Sequence, residues 1–179
     1  NDRLIQKLKK IKLIISDVDG VLTDGSIYIG SNGEEMKKFS VEDGAGVALA
    51  RASGLIIALL SGRFSSATDI RAKELKIEDI YNGMLNKIPA YEELKRKYNL
   101  EDSEIVYIGD GLIDIPVMEK AGIPVSVKNA HPTAKETAVY VTDKSGGSGA
   151  LQETIELVLK AQNQYDDAIN KMREKVLNL

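Results

Sequence analysis

Two pairs of aspartates follow short apolar runs of the sequence, and their types and spacing could support chemistry. Asp17 and Asp19 follow the run 13–15, and Asp110 and Asp114 follow the run 105–108. Alternation along an extended chain places Asp17 and Asp19 on the same side. Two nearby carboxylates repel each other, and oxygen ligands favour Mg²⁺ over zinc, so a bound Mg²⁺ is one interpretation. The alternative is a plain turn, because Asp followed by Gly often forms one.

Two further segments between these pairs suggest an anion site. Ser61-Gly62-Arg63 follows the apolar run 55–60 and precedes a helical pattern. A hydroxyl, an unobstructed backbone amide and a helix start together suit a phosphate group. The alternative here is an ordinary strand-to-helix turn capped by serine. Asn86 and Lys87 precede another helical pattern, although a single lysine is as a rule a surface residue.

The elements that must position these side chains alternate along the chain. Continuously apolar runs are typical of parallel strands that are covered on both faces. Alternation with helical segments predicts an α/β fold, a Rossmann-like three-layer sandwich with a mainly parallel sheet. Ligands of such sheets bind beyond the carboxyl ends of the strands, where both aspartate pairs and the segment 61–63 fall. The predicted strands are 13–15, 55–60, 80–81, 105–108, 125–127 and 139–141, and the predicted helices are 46–52, 65–75, 88–98 and 116–121.

Three segments depart from this rhythm within what we predict to be a single domain, 1–179. Asn32-Gly33 predicts a small β-hairpin flap over about 26–40. The run 145–149 is predicted to be a flexible loop. A heptad pattern interrupted only by Gln162 predicts one C-terminal helix over about 149–179. We expect its part beyond Gln162 to pack on another subunit.

The composition excludes several functions. The chain has 179 residues, a net charge of −3, one histidine and no cysteine. Disulfides, thiolate zinc sites, cysteine nucleophiles and multi-histidine metal sites are therefore excluded. The mild acidity argues against a nucleic-acid partner. No apolar stretch approaches the roughly 18 residues of a membrane span, so we expect no membrane partner and a cytoplasmic protein.

The order and placement of the four motifs resemble the haloacid dehalogenase superfamily of phosphatases over about residues 11–159. The resemblance implies that Asp17 is the nucleophile and Asp19 the general acid and base. It implies that Ser61 and Lys87 hold the phosphoryl group. The implied cofactor is Mg²⁺, with Asp17, Asp110 and the backbone carbonyl of Asp19 as its ligands and Asp114 orienting them.

A narrower resemblance is to the capless branch of this superfamily, because the chain has room for no cap larger than the hairpin. That branch implies a homotetramer whose subunits cover each other's sites. It also implies a small-molecule sugar-acid phosphate as substrate, an eight-carbon compound of lipopolysaccharide biosynthesis, with a nine-carbon acid as the alternative; Arg63 favours the former. Arg71 is also open to pairing with Asp69 or Glu74. The implied substrate contacts are Asp19, Ser40, Val41, Glu42, Asp43, Gly44, Gly62, Arg63, Arg71, Asn86 and Lys87.

Two positions depart from the family pattern. Gly111 stands where the family commonly has a second aspartate, and Ser148 stands where it often has arginine. The first departure puts a water or ligand-orienting contact in doubt, and the second removes a substrate contact. Rival interpretations are a receiver domain, against which Asp19 argues, and a degenerate binding protein.

Overall fold

Six parallel strands form the central sheet in a computed structural model that describes residues 2–179. Their order across the sheet is β5-β4-β1-β6-β7-β8, as predicted for a parallel α/β fold. A separate antiparallel pair, β2 and β3, forms the flap. The strands are β1 Leu13–Ser16, β2 Tyr28–Ile29, β3 Glu35–Met36, β4 Ile56–Ser61, β5 Asp79–Asn82, β6 Ile105–Gly109, β7 Ile123–Ser126 and β8 Tyr140–Val141.

Within residues 2–179, eight α-helices flank the sheet, and most of them belong to two packed groups. In one group α7 contacts α1, α2 and α8, in another α5 contacts α4 and α6, and α3 packs against β5. The two layers leave β1 and β6 entirely buried, which explains why these strands are continuously apolar. The helices are α1 Asp2–Leu8, α2 Val41–Ser53, α3 Ser66–Glu74, α4 Ile88–Tyr98, α5 Ile115–Lys120, α6 Pro132–Thr137, α7 Ala150–Ala161 and α8 Tyr165–Leu177.

Strand β1 lies at the centre of the sheet, between β4 and β6. From β1 the chain builds one half of the sheet, through β4 and β5, and then crosses to build the other half from β6. The backbone N–H of Asp17 donates to the carbonyl of Ile108 at 2.9 Å, which carries the pairing one residue beyond β1. Such a switch point leaves a crevice at the carboxyl ends of the strands.

The flap is a short two-stranded ribbon outside the main sheet, as the Asn32-Gly33 signal predicts. Its paired strands are only two residues long, with Tyr28 opposite Met36. Gly33 adopts a φ of +82°, which a residue with a side chain rarely adopts, and the Asn32 side chain accepts the Glu34 N–H at 3.0 Å.

The predicted single C-terminal helix is wrong, because the chain turns between Ala161 and Tyr165. Asn163 takes a positive φ of 55°, and the Gln162 amide donates to the carbonyls of Leu8 and Ile11 at 3.1 and 2.8 Å. The polar interruption of the heptad pattern therefore ties the end of α7 to the N-terminal segment.

Helix α8 then folds back onto α2 of its own chain. Ala168 is fully buried, and Tyr165, Ile169 and Met172 pack against the core. The expectation that this whole segment packs on another subunit is therefore wrong for the apolar side chains of its first turns; among the apolar residues of α8, Val176 and Leu177 at its end are exposed. No helix within residues 2–179 is long and apolar enough to cross a bilayer.

The glycine-rich run 145–149 packs against the loop that follows β1. Gly147 donates its N–H to the Val21 carbonyl at 2.9 Å. A side chain at Gly146 would place its Cβ 1.8 Å from the Gly20 carbonyl oxygen. This close backbone contact gives the run a fixed place beside the aspartates, where the sequence alone predicts a flexible loop.

Asp43 makes the stability of this helical layer depend on pH. Its buried carboxylate accepts the Gln152 N–H at 3.1 Å through Oδ1, while Oδ2 has no hydrogen-bond partner. Burial raises the pKa of Asp43 to about 6; the charge of Glu42 adds to this effect and that of Lys144 opposes it. The folded state thus favours the protonated carboxyl, and this contribution to stability is lost as the pH rises through about 6.

We therefore expect Asp43→Asn to stabilise the protein at pH 8 by about 1–3 kcal/mol, and hardly at all at about pH 3.5, below the ordinary pKa of an aspartate, where both the folded and the unfolded protein carry a neutral carboxyl. Asparagine keeps an acceptor for the Gln152 N–H but cannot ionise. Urea unfolding of both proteins at the two pH values measures the difference. A gain of the same size at both values would show that the charge of Asp43 is not its cause.

Candidate active site

Three aspartates and one lysine meet at the carboxyl ends of β1 and β6. One carboxylate oxygen from each of Asp17, Asp110 and Asp114 lies within 4.8 Å of the others. The ammonium group of Lys87, at the start of α4, lies 2.9 Å from Asp17 Oδ1 and 2.7 Å from Asp114 Oδ1. The cluster therefore joins two motifs at strand ends with a lysine that is distant from both in the sequence. From the sequence, only the family resemblance linked Lys87 to these aspartates.

Asp114 has all of its acceptor positions engaged by this chain. Besides Lys87, the Tyr107 hydroxyl donates to Oδ1 at 2.5 Å. The backbone N–H groups of Asp110 and Gly111 donate to Oδ2 at 3.0 and 3.2 Å. Asp114 therefore fixes the backbone that carries Asp110, which agrees with an orienting role.

The cluster is strongly coupled electrostatically. Burial raises the pKa of Asp17 well above its usual value; Asp114 adds to this effect, and Lys87 opposes it. Burial also raises the pKa of Asp110. Burial disfavours ionised Asp114 too, but Lys87 and the hydrogen bonds outweigh it and hold the pKa of Asp114 below its usual value.

Lys87 itself stays positively charged. Burial alone would lower the pKa of this lysine, but Asp17 and Asp114 outweigh burial and raise it. The cluster therefore holds one fixed cation among three carboxylates, and it can accept further positive charge.

The donor set fits a magnesium ion. Asp17 and Asp110 offer carboxylate oxygens, the ligands that Mg²⁺ prefers. Gly20 makes room beside them, because a Cβ at this position would lie 1.8 Å from Asp110 Oδ2. Asp114 satisfies the surrounding N–H groups, which is the support that carboxylate ligands need.

The segment predicted to hold phosphate lies at the end of the neighbouring strand. Ser61 ends β4 with its side chain buried, and its hydroxyl donates to the Arg63 carbonyl at 2.8 Å. Gly62 is packed closely, since a Cβ there would meet Ile113 at 2.8 Å. Asn86 accepts the Ile88 N–H at 3.2 Å and thereby positions the start of α4, which carries Lys87.

Two flap residues that the sequence interpretation missed reach this edge of the sheet. The Lys37 side chain is only 1% exposed and forms an ion pair with Asp19. Glu35 Oε2 lies 2.7 Å from Nη1 of Arg63. The available signal was that Glu35 and Lys37 are two residues apart, so both point to one face of a strand.

The segment 40–44 begins α2 and has its own structural contacts. Ser40 caps the helix by accepting the Glu42 N–H at 3.2 Å, and Val41 is 85% exposed. Glu42 pairs with Lys144 at 3.2 Å. The Asp43 carboxylate is buried against the start of α7, so its predicted contact with substrate stays a prediction.

Arg71 connects α3 to this segment. Its guanidinium donates to the Ser40 carbonyl at 3.1 Å and to Glu74 at 2.9 Å, and lies 5.8 Å from the centre of the Phe39 ring. Gly44 gives it room, because a Cβ there would lie 3.1 Å from Nη2. Arg71 thus pairs with Glu74, one of the two alternatives from the sequence, and its contact with substrate stays a prediction.

Comparison with known proteins agrees with this geometry. The model of the haloacid dehalogenase-like hydrolase family matches residues 53–153. The chain belongs to this family. It is 44% identical over 165 residues to 3-deoxy-D-manno-octulosonate 8-phosphate phosphatase KdsC of Escherichia coli K12, covering 92% of this chain and 88% of the relative.

Solved structures place this haloacid dehalogenase-like hydrolase among the same enzymes. The Moraxella catarrhalis 3-deoxy-D-manno-octulosonate 8-phosphate phosphatase, solved in complex with magnesium, phosphate and KDO, is 43% identical, with a TM-score of 0.91 over 94% of this chain and 97% of that one. The Yersinia pestis phosphatase of the same name is 42% identical, with a TM-score of 0.90 over 92% and 89% of the two chains.

The two departures from the family pattern are both accommodated. Apart from the chain neighbours of Gly111, no atom of residues 2–179 lies within 4 Å of a Cβ built there, so a side chain would fit at this position. Ser148 is exposed in the glycine-rich run.

Proposed function

We propose that this protein is a Mg²⁺-dependent phosphatase that hydrolyses 3-deoxy-D-manno-octulosonate 8-phosphate. The observation that carries the proposal is the buried cluster of Asp17, Asp110, Asp114 and Lys87 at the switch point of the sheet. The family membership and the named relatives at 42–44% identity support the same activity and the same substrate.

Asp17 is the nucleophile in this proposal. Its carboxylate attacks phosphorus and the sugar alkoxide leaves, so that an aspartyl-phosphate forms on Asp17. The Val18 N–H holds Oδ1 at 2.7 Å, and Lys87 lies against the same oxygen. Oδ2 is the oxygen left for attack.

Asp19 is the general acid and base. It gives a proton to the leaving alkoxide and later takes one from the water that hydrolyses the aspartyl-phosphate. Asp19 lies in the turn that follows β1, and its ion pair with Lys37 ties the carboxylate to the flap.

Lys87 and Ser61 hold the transferred phosphoryl group. Phosphoryl transfer depends mainly on position and on neutralising the charge of the phosphoryl oxygens. Lys87 supplies a buried positive charge, and the Ser61 hydroxyl and the Gly62 N–H supply neutral donors. Asp17, Asp110 and the Asp19 carbonyl would hold Mg²⁺, which would neutralise further phosphate charge.

The sugar acid is recognised by the residues around the flap. Arg63 binds its carboxylate, since a guanidinium matches a carboxylate with two parallel hydrogen bonds. Segment 40–44, Arg71 and Asn86 complete the sugar contacts. The Arg63 side chain is 42% exposed and so is accessible to a ligand from outside.

We also propose that the protein is a cytoplasmic homotetramer in which neighbouring subunits cover the site. Support comes from large apolar side chains that stay exposed on the flap and on the loops after β4, β5 and β6. A surface patch of this kind is typical of an interaction site. The residues are Ile29, Met36, Phe64, Leu85 and Leu112.

Phosphate release from a panel of sugar phosphates, with Mg²⁺ and with chelator, tests the activity. We expect 3-deoxy-D-manno-octulosonate 8-phosphate to give the highest kcat/KM and chelator to abolish turnover. A preference for the nine-carbon acid phosphate would refute the substrate, and turnover in chelator would refute the cofactor. No turnover on any phosphate ester would favour a degenerate binding protein.

A further inference from the structure

Glu35 of the flap forms an ion pair with Arg63, the residue that we propose binds the carboxylate of the substrate. Its Oε2 lies 2.7 Å from Nη1 of Arg63. Glu35 belongs to β3 and Arg63 to the loop after β4, so this ion pair ties the flap to the loop that holds phosphate. A carboxylate of this chain is thus seated where a carboxylate of the sugar acid has to bind.

The ion pair is open to competition. The Glu35 side chain is 19% exposed and that of Arg63 is 42% exposed, so a solute can reach the pair. The other oxygen of Glu35, Oε1, is buried without a hydrogen-bond partner. This oxygen therefore has no hydrogen bond that holds Glu35 at Arg63, and its nearest charged partner is Lys37 at 3.5 Å.

Lys37 is a second cation beside Glu35. Its ammonium group is 3.5 Å from Glu35 Oε1 and also pairs with Asp19, and the side chain is almost completely buried. Because Lys37 anchors the flap beside Asp19, Glu35 competes as a tethered group at a high effective concentration. Lys37 also offers Glu35 a second cation when Arg63 is taken by another carboxylate.

We propose that Glu35 is a specificity-determining residue, an internal carboxylate that competes with the carboxylate of the substrate for Arg63 and yields it when a sugar acid binds. The inference rests on the proposed function, since it takes the sugar-acid carboxylate as the ligand of Arg63. A phosphate ester without a carboxylate leaves the ion pair between Glu35 and Arg63 in place.

Glu35→Gln tests this role because glutamine keeps the size of the side chain and removes its charge. We expect the KM for 3-deoxy-D-manno-octulosonate 8-phosphate to fall about two- to five-fold, the size typical of a partly exposed ion pair. The KM for D-arabinose 5-phosphate, which has no carboxylate, and the kcat for both substrates should stay at their wild-type values.

Two further variants establish the route of the effect. In an Arg63→Gln background, Glu35→Gln should no longer change the ratio of the two KM values, because the shared cation is gone. Glu34→Gln is the matched control, since Glu34 is an exposed flap residue next to Glu35 and should leave both KM values unchanged. Equal changes in the two KM values, an unchanged ratio, or a selective rise for the acid substrate would overturn the proposal.

Calorimetric binding of free 3-deoxy-D-manno-octulosonate separates this proposal from the proposed function. We expect it to bind Glu35→Gln two to five times more tightly than the wild type, whether or not the phosphate ester is hydrolysed. Absence of turnover together with this gain in affinity would refute only the proposed activity. Equal affinity of the two proteins would refute the role of Glu35.

Discussion

Replacing Asp17 by asparagine is expected to lower kcat with the preferred sugar phosphate by at least about a thousandfold, since a neutral amide cannot form the aspartyl-phosphate. The fold should persist, because asparagine can still accept the Val18 N–H, which donates to Asp17 Oδ1 at 2.7 Å. Phosphate release under saturating substrate and Mg²⁺ measures the loss, and circular dichroism checks the fold.

Asp166→Asn is the control for this experiment. Asp166 is an exposed aspartate in the first turn of α8, far along the chain from the site, and its loss should leave kcat unchanged. If Asp17→Asn turned over at the wild-type rate, the covalent mechanism would be excluded. Hydrolysis would then have to use another nucleophile, such as water.

Replacing Lys87 by methionine should lower the free energy of unfolding by about 3–5 kcal/mol at neutral pH. The side chain of Lys87 has no exposed surface, and its ammonium group lies between Asp17 and Asp114. Methionine has a similar length but no charge, so the carboxylates would face each other without a counter-ion. Urea unfolding monitored by circular dichroism measures the change.

The matched control is Lys171→Met. Lys171 pairs with Asp167 at 2.9 Å on the surface of α8, where both side chains are more than half exposed. An exposed pair contributes at most about 1 kcal/mol, so this variant should unfold close to the wild type. Equal losses in the two variants would mean that the buried charge cluster does not contribute specially to stability.

In the flap, the local sequence pattern predicted the hairpin but not the ion pairs that its residues form. Asn32-Gly33 predicted a hairpin, because a left-handed residue in a tight turn is a local requirement that glycine meets. The same local pattern could not predict the ion-pair partners of Glu35 and Lys37. Their contacts with Arg63 and Asp19 join segments far apart in the chain, and nothing in the spacing specifies which charges meet.

In the C-terminal segment, the sequence pattern predicted one continuous helix where the structure has two. Its heptad spacing correctly identified helical residues with an apolar face, but the same spacing continues across the turn at Asn163. The break depends on the Gln162 amide reaching the carbonyls of Leu8 and Ile11, near the other end of the chain. The spacing of apolar residues can therefore predict that a segment is helical, but the tertiary contacts of Gln162 determine where this helix ends.

By itself the sequence determined the α/β class, the parallel sheet and the strand ends that carry Asp17, Ser61 and Asp110, because these follow from local periodicity and from residue type. The tertiary structure alone decided that Lys87 bridges Asp17 and Asp114, and that Arg63 is already held by a carboxylate of the flap. The physical reason is that the charged groups at this switch point pair with groups that are close in space but distant in sequence, so local spacing does not specify the pairs.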